Sequence, residues 1–215
     1  MNNSLKMARL DYYAFKPLLA AFTGFIVVVF MLAGITDSST GALCLTSSWY
    51  VAILSANIFA IQEKNGLERL YASLSLELRN IIKGRYIFIF CNYAFALLLS
   101  FFIGIVTSVL QNRMINFADV ILGMCSSLFI FVMIVGIQIP IYFRFSYTKA
   151  KVWGMIPFIF IVGIMLIDGY FGIFSNVVTG VRKNEMVSNV ACVAVSFLIV
   201  FISYHLSVRC YLKRR

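Results

Sequence analysis

Covalent or metal chemistry needs nucleophiles, acids, bases or ligands within reach of one another, and this chain has few to bring together. Its 215 residues hold one histidine, five cysteines and eight carboxylates. Cys44, Cys91, Cys125, Cys192 and Cys210 are far apart, odd in number and without a CxxC pair. They read as small hydrophobes in apolar runs, not as a redox or metal set. His205 has no second ligand in helical reach and reads as an interfacial aromatic. No GxxxxGK[ST], HExxH or GxSxG occurs, so the chain has no Walker-type nucleotide site and cannot hydrolyse ATP alone. Asp11, Glu63, Glu68 and Glu77 fall on one side of the apolar runs; Asp37, Asp119, Asp168 and Glu185 fall at or beyond their opposite ends. That leaves no ionisable group near a bilayer midplane, where a proton- or sodium-coupled carrier keeps one. The expectation is a protein that is not an enzyme and draws its energy from outside the chain.

The elements that carry these residues are apolar. Hydrophobic residues make up 62% of the chain, charged ones 12%, and the mean hydropathy is +0.95, which marks a polytopic membrane protein. Six runs lie near the roughly 20 residues a bilayer demands: 17–36, 41–61, 86–110, 118–141, 152–171 and 187–208. The predicted fold is an all-α integral membrane protein of six transmembrane helices, one domain over 1–215, with an uncleaved first span. Pro17 opens the first run, Pro140 and Pro157 bend the fourth and fifth near their ends, and Gly104, Gly123, Gly136 and Gly163 allow close helix packing. The formal charge of +10 does not point to nucleic acid, because the basic residues sit between spans. Of 18 lysines and arginines only Arg113, Arg182 and Lys183 fall in the loops opposite the N-terminal side. By the positive-inside rule both termini are cytoplasmic. Asn57, Asn92 and Gln138, polar inside spans, either face a translocation path or bond across helix contacts.

Two polar stretches remain. In residues 62–85, Leu67, Leu70, Tyr71, Leu74, Leu78, Ile81 and Ile82 fall within about 60° of one direction on a helical projection. Arg69, Arg79, Asn80 and Lys83 gather opposite, together with one leucine, Leu76. Such a helix lies in the headgroup layer or presents its polar face to a soluble partner, with Leu76 as anchor. In residues 1–16, Leu5, Ala8, Tyr12 and Phe15 share one side, with Lys6, Asp11 and Lys16 directed elsewhere.

The run SLSLELRNIIKGRY, Ser73 to Tyr86, resembles the cytoplasmic loop of ABC-2 type permeases. Ser73, Leu74, Arg79, Ile81, Gly84, Arg85 and Tyr86 match that pattern, and EKNGLERL, Glu63 to Leu70, resembles its charged opening. Ser75 stands where the family has proline, and Leu78 where it has a basic residue. The resemblance extends to the six-span plan with its longest cytoplasmic loop after span two. It implies that 62–85 is a coupling helix docked on a separate ATP-binding subunit, with Glu63, Gly66, Glu68, Arg69, Leu74, Leu76 and Arg79 in or beside the contact. It also implies an N-terminal interfacial elbow helix, two ATP-binding subunits per complex, and a second permease chain as homodimer or paralogous heterodimer. ATP and Mg would belong to the partner, with no cofactor in this chain; the remaining contacts would be lipids of a bacterial plasma membrane. The short permeases it resembles export amphipathic peptides such as phenol-soluble modulins, lantibiotics and other bacteriocins. Drug or antibiotic efflux, or a non-transporting immunity or sensor role, are the alternatives.

Overall fold

A computed structural model describes residues 3–16, 20–35, 39–67, 78–145, 147–172 and 185–213, which form seven α-helices and no strand. They are α1 (Asn3–Phe15), α2 (Ala21–Ile35), α3 (Thr40–Lys64), α4 (Leu78–Leu110), α5 (Phe117–Arg144), α6 (Tyr147–Phe171) and α7 (Glu185–Leu212). Five of them, α3 to α7, are long and apolar enough to cross a membrane. The apolar helix α2 has 15 residues, about 22 Å at 1.5 Å per residue, against a hydrocarbon layer of roughly 30 Å.

Local chemistry sets the ends. Ser39 caps α3 by accepting from the Ala42 N–H at 3.3 Å, and Asn116 caps α5 by accepting from Ala118 at 3.1 Å. At its far end α3 closes through Asn65 N–H to Ile61 O and Gly66 N–H to Glu63 O, with Gly66 at φ +61°, where a side chain would be strained. Between α4 and α5 the chain reverses through Asn112 at φ +51°. The helix of the third span reaches beyond its apolar run: α4 is described from Leu78 and over those 33 residues is about 50 Å long. Its first two turns therefore belong to the segment expected to be a separate helix over 62–85, and α3 reaches into the same segment as far as Lys64.

Helices α3, α4 and α5 form the centre. Helix α7 packs along α5 and touches α4, α6 lies against α5 and α3, and α1 and α2 lie against α4 and α3. Stacked rings join the centre, Tyr93 on Phe131 at 4.2 Å and Phe59 on Tyr142 at 4.9 Å. Hydrogen bonds join it too, which lipid would otherwise leave unmade. Thr40 bonds Ser108 at 3.2 Å; Ser127 bonds Ser47 at 3.2 Å and accepts from Tyr93 at 3.0 Å; Ser55 donates to Gln138 at 3.2 Å.

Glycines allow the closest approach. A Cβ on Gly41 would meet the Asp119 carbonyl and one on Gly123 the Gly41 backbone, so α3 and α5 touch main chain to main chain there. Gly104 rests on Thr40 and Gly136 on Ile199, as expected, whereas among the described residues nothing lies within 4 Å of a Cβ placed on Gly163. Pro140 lies inside α5 and has no N–H for the Gly136 carbonyl four residues back. The Ser203 hydroxyl of α7 donates to that carbonyl at 2.7 Å. A bend-prone position in one helix is thus completed by the next.

Candidate functional site

Leu5, Ala8, Tyr12 and Phe15 of α1 were expected to share one side, with Asp11 directed elsewhere; the Leu5 side chain lies outside the described ones. Instead the buried row is Met7, Asp11 and Phe15, one turn apart, and Tyr12 is exposed. The reason lies 74 residues on. Arg85 falls on the inward row of α4 with Ile81, Ile82 and Ile89, and a guanidinium among apolar groups needs a counter-charge. Asp11 supplies it through two parallel bonds, Nη2 to Oδ1 at 2.9 Å and Nε to Oδ2 at 3.2 Å, with both side chains about 1% exposed. The remaining arm, Nη1, donates to Gln62 Oε1 of α3. The guanidinium carbon stands 4.8 Å from the centre of the Phe59 ring, a favourable face for a cation. One arginine thereby holds α1, α3 and α4 together, and Phe15 adds an edge contact to Phe88 at 5.7 Å.

These contacts sit where α3 ends and α4 begins, at the two roots of the polar segment. Of the apolar stripe expected there, Ile81 and Leu67 pack with Met7 and Leu10 of α1, and Ile82 is in the main core. The described parts of that stripe therefore meet protein. Arg79 and Lys83 are exposed, on the outward side as expected. Glu63 is exposed at the end of α3 and accepts from the Thr148 hydroxyl at 2.5 Å and the Thr148 N–H at 3.3 Å, which caps the start of α6. Gly66 is exposed in the turn after α3. Glu68, Arg69, Leu74 and Leu76 lie outside the described residues. The ends of α5 and α7 join the same end of the bundle through Phe143 and Tyr211 at 5.5 Å.

Of the polar residues singled out inside spans, Gln138 and Asn92 are bonded within this chain. Gln138 is buried, accepts from Ser55 and donates to the Gly154 carbonyl at 2.9 Å, joining α3, α5 and α6. Asn92 donates to Phe88 O of its own helix at 2.8 Å, and Asn57 is half-buried on α3. His205 is exposed and edge-on to Phe201 at 4.5 Å. Of the cysteines, all free, Cys44 is buried, Cys91 exposed and the others half-buried.

Three members of the arginine cluster, Asp11, Gln62 and Phe59, were not picked out as site residues from sequence. A signal for them existed: Arg85 continues the three-and-four spacing of Ile81, Ile82 and Ile89, so an inward charge in search of an acid could be read directly.

A long helical membrane chain whose structured core carries a charged cluster under a polar interspan segment fits a transport subunit. The model of the ABC-2 family transporter proteins matches residues 6–212, nearly the whole length, and the chain belongs to that family. It is a membrane-embedded permease component of an ABC transporter, of a family that lacks the ATPase domain and works with an ATP-binding subunit. No curated protein and no solved structure gives a significant match.

Proposed function

We propose that this chain is the permease subunit of an ABC exporter that pairs with a second permease chain, identical or paralogous, and is driven by two copies of a separate ATP-binding subunit docked on the segment between α3 and α4. Arg85 carries this reading. By clamping α1, α3 and α4 at the roots of that segment, it makes any displacement there common to three helices instead of bending one. Glu63 extends the linkage to α6 through Thr148. Closure of the ATP-binding subunits on nucleotide would move this base as a block and open the path alternately to the two sides. In this reading Glu63, Gly66, Glu68, Arg69, Leu74, Leu76 and Arg79 make or flank the docking contact, and both termini are cytoplasmic. The cargo is an amphipathic peptide, in keeping with spans that offer apolar and aromatic surface and no midplane charge.

The test is purification of the tagged chain from native membranes in mild detergent, with mass spectrometry of what accompanies it. An ATP-binding subunit in a 2:2 ratio is expected, with ATPase activity stimulated by amphipathic peptide. Leu76→Ala and Glu68→Ala should lower that stimulation while leaving the permease in the membrane. A chain that emerges with no nucleotide-binding partner would overturn the reading.

A further inference from the structure

We infer that the outer groove between α4 and α7 is a binding site for an anionic phospholipid of the surrounding bilayer, with its phosphate at Lys83 and an acyl chain along the groove. The groove has a volume of about 460 Å³ and is walled by Ile87 and Phe90 of α4 and by Phe197, Val200 and Phe201 of α7. It opens sideways: Phe197 is 71% exposed and Phe201 63%. From Phe90 and Val200 a second apolar hollow of about 230 Å³ continues toward Ser196, so the track runs lengthwise along the helices.

Charge is confined to one end. Among the described residues Lys83 is the only charged one in the lining, two turns before Phe90 and about 10 Å from it along the helix. It forms no ion pair among the described residues, because the described carboxylates at that end of the bundle are engaged, Asp11 with Arg85 and Glu63 with Thr148. A cation at one end of a long apolar track fits an amphiphile with a single anionic head.

A peptide fits poorly. Beyond Lys83 and the Tyr204 hydroxyl, its backbone N–H and C=O groups would lie against aromatic and aliphatic walls, since the Ser196 hydroxyl donates to the Cys192 carbonyl of its own helix and the Tyr86 hydroxyl is bonded to Ser203 and Ser207.

The experiment equilibrates the purified full-length transporter with equal amounts of phosphatidylglycerol and phosphatidylcholine and measures retained lipid by native mass spectrometry. Wild type should retain phosphatidylglycerol selectively. Lys83→Gln should reduce that selectivity roughly fivefold, and Val200→Trp, which fills the groove, should remove the bound lipid. A photoreactive phosphatidylglycerol should label wild-type peptides containing Phe90 and Val200, a result that does not depend on any variant folding. Equal retention of the two lipids, labelling elsewhere, or cross-linking of two chains through this groove would each overturn the assignment.

Discussion

The Asp11 carboxylate and the Arg85 guanidinium face each other in a two-point ion pair, 2.9 and 3.2 Å, both side chains almost wholly buried. Removing one partner strands the other charge in an apolar setting, whereas removing both leaves no stranded charge, only repacking and the Gln62 amide without its donor. Asp11→Leu or Arg85→Met alone should therefore destabilise the protein by about 3–5 kcal/mol, and the double variant should lie close to wild type. Thermal unfolding of the purified protein, followed by fluorescence-detected gel filtration, checks this. Additive losses would mean that the pair is not coupled.

Ser203 and Pro140 form a second coupled pair, because the hydroxyl donates to the Gly136 carbonyl that the proline leaves without its helical N–H. Ser203→Ala should cost about 0.6–1.7 kcal/mol. The same change should cost less in a Pro140→Ala background, where the restored N–H can serve that carbonyl. Equal costs in both backgrounds would show that the hydroxyl does not complete the helix.

Gly123 and Gly163 should respond oppositely to alanine. A methyl group at Gly123 would collide with the Gly41 main chain, so the folded yield should fall sharply, while Gly163 faces open space. There the gain in helix propensity should make Gly163→Ala neutral to stabilising by up to about 1 kcal/mol. Melting curves of the two variants separate the cases.

The sidedness proposed for the chain is checked by labelling in a cysteine-free background. A cysteine replacing Met114, which is fully exposed in the turn between α4 and α5, should react with an impermeant maleimide added to intact cells. One replacing Lys149 at the start of α6 should react only after lysis. The reverse pattern would invert the topology.

Much of this plan was legible in the sequence. Long apolar runs place α3 to α7, and the SLSLELRNIIKGRY run carries the family resemblance. That the polar segment runs straight into the third-span helix was hidden because Lys83 and Arg85 interrupt the apolar window, and hydropathy cannot distinguish a charge at a membrane surface from one that is paired and buried. Asp11 was assigned to the polar side of α1 for the same reason: its environment is set by a residue 74 positions away. Gly163 looks like the other span glycines in one dimension, and only the position of neighbouring helices shows that no described residue closes on its Cβ direction.

The glycine contact between α3 and α5 has a mechanical consequence. Near Gly41 the two helices touch through their main chains, and some 18 residues on, about 27 Å along the axis, they are held apart by the stacked rings of Phe59 and Tyr142. Two rods pinned at one end, tied along the way by the Ser47–Ser127 and Ser55–Gln138 hydrogen bonds and spaced by flat rings at the other, form a lever with its fulcrum at the glycines once those bonds give. Small sliding of the rings at the end that holds Arg85 would swing the whole length of the rods, while the pinned end barely moves.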